Sequence, residues 1–430
     1  MGCSIKSSMR TTTQDTVRHR FFAPVELALA SAGSKRKCRE FPDEEYLESG
    51  ISRVLSQAQS GRDWVQRLRM WMDSGLTVGN FFDTLRSSRR LALVEEVTDR
   101  VCHQLDATAK SGHDTLAEHP ELHGFAVYAS DGHYESPSCH AKQIDGKAQP
   151  AGSFFSMNLR SQGLRLLDVA RPKKQREHDM SVLKRLGSTQ LRMGEPTGTR
   201  VIHAYDPAGI DYKEWFRWKC KGVYIISREK DNSKAEVVGL NTWDEQDPRN
   251  TGILADELIG VFCGVMLRRV RYRDPATGKE FSFITSEMTL PPGLIAFIYL
   301  LRWDIEKVFD EKKNKLQEKK AWATSLTARC QQAHFVCLAH NLMVLFEIAL
   351  EENEGIRDEK VDKKRERRNQ IAQALAKERG DTLNPLVVEC VRRTQRSLQF
   401  IRWLRHCLFR ETSWCEGMRV LRPLMVEYLV

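Results

Sequence analysis

Residues 292–317 read PGLIAFIYLLRWDIEKVFDEKKNKLQ. Pro291 and Pro292 stand at the head of this stretch, where a helix tolerates a missing backbone N–H. Beyond them, apolar and charged residues separate with helical spacing. At about 100° per residue, Tyr299, Arg302, Glu306 and Lys313 fall at about 0°, −60°, −20° and −40°, on one face. Leu301, Ile305, Val308, Phe309 and Leu316 occupy the neighbouring arc, at about 180° to 280°. The apolar stripe is suited to packing on a sheet. The adjacent stripe presents a carboxylate flanked by two cations and a phenol. Taken alone, such a helix is an amphipathic element with a solvated charged edge, so its meaning depends on what the rest of the chain brings beside it.

Upstream, the pattern is strand-like. LHGFAVYAS (122–130) is short, apolar and rich in β-formers, and ends at Asp131-Gly132. SFFSMNLR and LRLLDVAR, around residues 153–171, form two more strand patterns joined by the turn Ser161-Gln162-Gly163. EHDMSVLKRLGS then reads as a helix and TRVIHAY as a buried strand ending at Asp206-Pro207. DYKEWFRWKCKG follows as a helix closed by Gly222, and VYIISRE as the next strand. Three strands followed by helix, strand, helix and strand predict an α/β fold, a mixed sheet with helices on its faces. Residues 231–285 interrupt the alternation. There IGVFCGVMLRRVRYRD, the turn PATGK and EFSFITS read as an inserted β-hairpin.

The flanks are helical. EEYLESGISRVLSQAQS, DWVQRLRMWMDSG and FFDTLRSSRRLALVEEVTDRVCHQL carry helical periodicity, with Gly50, Gly61 and Gly75 as breaks. They predict a compact helical unit over about residues 40–105, preceded by about 35 poorly ordered residues. IRDEKVDKKRERRNQIAQALAKER is charged throughout and reads as a solvated helix or tether, and a last helical region begins at Pro385. The chain has 430 residues, 67 Lys and Arg against 57 Asp and Glu, and a net charge of +10. That excess excludes an acidic solvating protein and favours a polyanionic partner. Runs such as LIAFIYLL and LAHNLMVLFEIAL are broken by polar residues before the ~20 that a bilayer span needs. The N-terminus MGCSIKSSMRTTTQ lacks an apolar core, and the 11 cysteines are scattered, so a reducing cytoplasm without disulfides is expected. Gly2 follows Met1, but Lys6 stands where a myristoylation motif has Ser or Thr.

Asp131 and Asp206 each end a strand-like segment. If those strands are neighbours, their carboxylates converge at one edge of the sheet, and Glu306 completes an oxygen-rich site. Such a site suits Mg²⁺ or Mn²⁺, and paired ions assist phosphoryl transfer. The spacing Y-x2-R-x3-E-x6-K from Tyr299 to Lys313, with the RWxIE core at 302–306, resembles the YREK signature of DDE transposases of the insertion-sequence IS-four family. YASDGHY (128–134) resembles that family's first-aspartate segment. Residues 201–230, VIHAYDPAGIDYKEWFRWKCKGVYIISREK, resemble its second. The resemblance spans roughly residues 120–345.

The resemblance implies an RNase H-like catalytic domain over 111–345, with a β insertion at about 231–285. Asp131 would bridge two Mg²⁺ or Mn²⁺ ions, and Asp206 and Glu306 would each help hold one. Tyr299, Arg302 and Lys313 would position DNA phosphates. It implies cut-and-paste transposition, in which nicking at the element's ends frees a 3′-OH that attacks the opposite strand and later target DNA. Residues 1–110 would help recognise the terminal inverted repeats, and residues 346–430 would pair two protomers into a homodimer at synapsis. Localisation would be a prokaryotic cytoplasm, on DNA, with no membrane partner.

Asp211 rivals Asp206 but reads as the N-cap of the next helix. Asp145 and Asp168 rival Asp131, but neither directly follows so apolar a strand. Some relatives stack a flipped base on an aromatic from the β insertion. Phe281 and Phe283 are the nearby aromatics, and their alternation in a strand favours the core. Cys330, His334, Cys337 and His340 share one broad helix face. A single helix seldom supplies four tetrahedral ligands, so packing is expected there. His133 is expected to support Asp131 or lie at the surface rather than act as a base. The basic runs Arg171–Arg176 and Arg268–Arg273 suit either phosphate contact or a solvated edge, and 363–368 suits solvated surface.

Overall fold

The structure, a computed structural model, describes residues 15–32, 41–72, 76–171, 176–261, 263–389 and 392–426. Gly2, Gly75 and residues 172–175 of the first basic run lie outside them. Among the described residues five helices come first: α1 (Val17–Ser31), α2 (Asp43–Ser56), α3 (Gly61–Met72), α4 (Val78–Leu85) and α5 (Ser88–Thr108). The expectation of disorder is corrected over Val17–Ser31 by α1, whose Val17, Phe21, Phe22 and Val25 are all buried, while residues 1–14 and 33–35 lie outside the described residues. Gly50 is also not a break. It lies inside α2, where a Cβ would come within 2.2 Å of the Phe335 ring, so its missing side chain lets two helices approach closely.

The sheet begins with β1 (Phe125–Glu135). A separate small ribbon follows, β2 (Gln143–Ile144) and β3 (Lys147–Ala148), then β4 (Ala151–Asn158) and β5 (Leu164–Val169). After α6 (Asp179–Leu191) come β6 (Arg200–Tyr205), α7 (Tyr212–Lys219) and β7 (Val223–Arg228). Then come β8 (Glu236–Leu240), β9 (Ile253–Gly260), β10 (Met266–Arg273) and β11 (Glu280–Thr285). Among the described residues these strands, the ribbon aside, form one nine-stranded sheet in the order β5-β4-β1-β6-β7-β11-β10-β9-β8. β1 runs antiparallel to β4 and parallel to β6, and β6 runs parallel to β7. That half of the sheet has the mixed order and sense of an RNase H-like fold. The expected hairpin is larger than its sequence pattern suggested. It comprises four strands, and β11 pairs with β7, so the insertion extends the central sheet.

The chain then forms α8 (Pro292–Leu301), α9 (Trp303–Asp310), α10 (Leu326–Glu354), α11 (Glu359–Glu378), α12 (Pro385–Glu389), α13 (Leu398–Arg410) and α14 (Trp414–Val426). α8, α9 and part of α10 cover one face of the sheet through Leu294, Ile298, Ile305 and Cys337, while α6 and α7 cover the other through Leu183 and Trp215. A third core joins both ends of the chain, with Phe21, Leu47, Phe346, Phe400 and Trp403 in one apolar cluster. α10 runs through both regions. It is long and apolar enough to cross a membrane, yet its apolar window is 83% buried inside the protein.

Candidate functional site: a carboxylate cluster at the sheet rim

β1 and β6 run side by side in parallel register, with Ala129 opposite Ala204. Asp131 and Asp206 each stand two residues further on, so the register sets them next to each other. β1 does not stop at Asp131 as its sequence suggested. It continues to Glu135 on its antiparallel partner β4, with Asp131 opposite Phe155. β6 ends at Tyr205, and Asp206 turns away to cap the next turn, accepting from the Ala208 N–H at 2.9 Å. Asp131 likewise gives one oxygen to the Gly132 N–H at 2.8 Å.

The helix that carries Glu306 lies against β1. It is not one regular helix. Arg302 N–H bonds to the Tyr299 carbonyl and Ile305 N–H to the Arg302 carbonyl, a tighter three-residue spacing that separates α8 from α9. A π turn then covers Glu311–Lys315. Regular-helix angles therefore fail beyond Asp310. Lys312 turns inward to pair with Glu135, while Lys313 faces solvent within electrostatic range of His133.

Arg302 sits at the centre. Its guanidinium is buried, donates to Glu306 at 2.7 Å and lies 3.6 Å from Asp131. It thus links carboxylates from β1 and α9. Among the described residues its Nε and Nη1 have no hydrogen-bond partner, Nη1 being the atom 3.6 Å from Asp131, so part of its donor capacity is unused. Burial opposes its charge, but Tyr299, Glu306 and Asp131 together hold its pKa above the ordinary value. Tyr299 is buried beside it, 4.8 Å from the Phe283 ring. Burial raises the Tyr299 phenol, against the pull of Arg302.

The sequence reading missed one acid. Asp179, first residue of α6, brings a carboxylate oxygen within 4.8 Å of those of Asp131 and Asp206. Its signal was faint, since an acid in a helix's first turn is ordinary dipole chemistry. Burial pushes the Asp131 carboxyl up to about 7; Arg302 pulls it back, and Asp206 and Glu306 add to the push. Burial, then Asp206, raises Asp179 as well. Crowded, desolvated carboxylates with unused oxygens fit a hard divalent cation, which would relieve the repulsion that now favours protons.

The other candidates fall outside this cluster. Asp211 caps α7 and pairs with Lys184 at 2.6 Å. Asp168 pairs with Arg185 at 2.7 Å, and Asp145 lies exposed in a turn. His133 packs on Phe309 with ring centroids 4.7 Å apart, and burial drives its pKa down to about 3, so it is a neutral spacer near Asp131. Among the described residues Cys330, His334, Cys337 and His340 form no ligand cluster. Cys337 is core, and His340 meets the Gln162 carbonyl at 3.0 Å. Phe281 and Phe283 stack on each other at 6.0 Å, with Phe283 in the core. In the second basic run Arg268 and Arg269 are engaged by Asp256 and Glu257 of β9, so they serve the sheet.

Residues 208–342 match the family model of the transposase DDE domain. The matched segment begins just beyond Asp206 and includes Tyr299, Arg302, Glu306 and Lys313. Among solved structures the chain is similar to the piggyBac transposase in a synaptic complex with hairpin DNA. That likeness has a TM-score of 0.34 at 10% identity, over 96% of this chain and 85% of that one. No curated protein matches the chain.

Proposed function

We propose that this protein is a DNA transposase of the IS-four type, which cuts DNA at the ends of its element and joins them to a target by metal-assisted phosphoryl transfer. The observation that carries the reading is the Arg302 bridge between Asp131 and Glu306. It brings together acids 175 residues apart, and one of the two lies inside the segment matching a transposase DDE domain.

In this reading Asp131, Asp206 and Glu306 would hold two Mg²⁺ or Mn²⁺ ions. Bound there, the cations supply Lewis-acid stabilisation of the entering and leaving oxygens. Asp131 must give up the proton that burial favours before its second oxygen can act as a ligand. Arg302, already buried and charged, offers its Nε, which is without a hydrogen-bond partner among the described residues, to a phosphate oxygen. Tyr299 orients Arg302 and supplies a phenolic hydrogen bond. Lys313, exposed beyond the π turn, attracts the DNA backbone. Each strand break exchanges one phosphodiester oxygen for another: the entering hydroxyl loses its proton and the leaving 3′ oxygen gains one.

The helical region 1–110 would contact the terminal inverted repeats, and 346–430 would pair two protomers on DNA. The test is an assay of nicking and joining with the DNA that flanks the gene, in Mg²⁺. Nicking followed by joining supports the proposal. Nicking alone indicates a nuclease, binding alone indicates an inactive DNA-binding relative, and either outcome overturns it.

A further inference from the structure

We infer that Asp179 is a cation ligand, and that Asp131, Asp179 and Asp206 form a divalent-metal site complete without Glu306. The inference deepens the proposed function and rests on its reading of Asp131 and Asp206 as ligands.

The three carboxylates come from β1, from the first residue of α6 and from the turn after β6, with one oxygen of each within 4.8 Å of the others. Among the described residues Glu306 is not a member of this group, and one of its two oxygens is held by Arg302 at 2.7 Å. Asp131 and Asp206 each have one oxygen occupied by a backbone N–H; the second Asp131 oxygen faces Arg302 at 3.6 Å, too far for a hydrogen bond. A second observation is independent of the acids. Tyr205 is 5% exposed and lines the same narrow cleft, which holds about 10 Å³ of free space, yet among the described residues its hydroxyl makes no well-aligned hydrogen bond, with Ser130 of the same cleft within electrostatic reach. An unused buried hydroxyl beside that space points to a missing polar occupant. A divalent cation would serve both features: the carboxylates would bind the ion directly, and the phenol oxygen would offer it a lone pair. The space is of one-water size, which suits a small ion and excludes an organic ligand. α6 packs on the sheet face opposite α9, so Asp179 approaches the cluster from the face opposite Glu306.

The experiment measures Mn²⁺ binding to the full-length protein by electron paramagnetic resonance, without DNA. Asp179→Asn should weaken the tightest site by about 10-fold or more, at least the effect of removing a group that supports a ligand. Glu306→Gln should leave that site unchanged. Equal affinity in wild type and Asp179→Asn overturns the inference. A second measurement needs no variant. Fe²⁺ with ascorbate and peroxide, bound to the wild-type protein, should cut the chain near residues 131, 179 and 206. Cuts near 131, 206 and 306 that spare 179 also overturn it. Mn²⁺ binding through Asp179 without DNA nicking would sink the transposase reading alone. Nicking with no role for Asp179 in Mn²⁺ binding would sink this inference alone.

Discussion

Replacing Arg396 with Met tests how the far C-terminal segment supports the helix that carries Glu306. Arg396 lies between α12 and α13, and its side chain is fully buried. Its guanidinium donates to Glu311, at the end of α9, at 2.7 Å and to Glu347 of α10 at 2.9 Å, while its backbone N–H donates to the second Glu311 oxygen. Methionine keeps the apolar stem and removes the charge. Two poorly solvated carboxylates then lose their buried cation, Glu311 keeping only Lys315 at 3.7 Å, and breaking a buried pair this way costs about 3–5 kcal/mol. The loss should depend on pH. Burial pushes the Glu347 carboxyl up to about 7, from an ordinary 4.5, despite the opposing pull of Arg396. A raised carboxyl contributes stability that is present below the ordinary value and is lost as pH rises through the folded one. Without Arg396 that folded value climbs further, so the loss continues to higher pH. Urea unfolding followed by circular dichroism should show the full deficit at pH 8 and a smaller one at pH 5, where Glu347 is protonated in both proteins. A deficit below about 1 kcal/mol, typical of an exposed pair, or one equal at both pH values, would refute the reasoning.

Two further outcomes follow from the same geometry. Asp256→Ala leaves Arg268 charged and buried, so it should destabilise the sheet by about 3–5 kcal/mol, whereas the double replacement Asp256→Leu with Arg268→Met should recover most of the loss in urea titrations. Asp131, held up at about 7 against an ordinary 3.8, costs the metal-free protein stability as pH rises across that interval. Mg²⁺ or Mn²⁺ should therefore raise the melting temperature more at pH 8 than at pH 6, and a flat or reversed trend would count against Asp131 as a ligand.

Much of the sheet was legible because its strands carry local signals. TRVIHAY and VYIISRE are apolar runs bounded by Asp206-Pro207 and by Gly222, whose φ of +74° closes the α7 turn. The neighbouring placement of Asp131 and Asp206 followed from parallel strands whose last apolar pairs are in register. β9 escaped notice because ILADELIG mixes acids into its alternation, and those acids make sense only opposite the arginines of β10. The same blindness left Arg268 and Arg269 readable as either a phosphate-contacting run or a solvated edge, when they pair with β9. Long-range pairing cannot be read from either strand alone. The break at Arg302 and the π turn at Glu311–Lys315 also lay outside a reading built on 100° steps. They arise where Arg302 reaches two carboxylates and Lys312 turns inward to Glu135. Asp179 was hidden by its ordinariness, and α1 by a basic, proline-containing segment whose partners lie near the other end of the chain.

The decisive comparison is nicking of a plasmid carrying the gene's flanking DNA, in Mn²⁺, by the wild type and by Asp131→Asn, Asp206→Asn and Glu306→Gln, with DNA binding measured in parallel. If the three acids act as one site, the wild type cuts, each variant still binds DNA, and each has lost cutting altogether. Wild-type cutting by any one of the three would show that its carboxylate is no part of the chemistry.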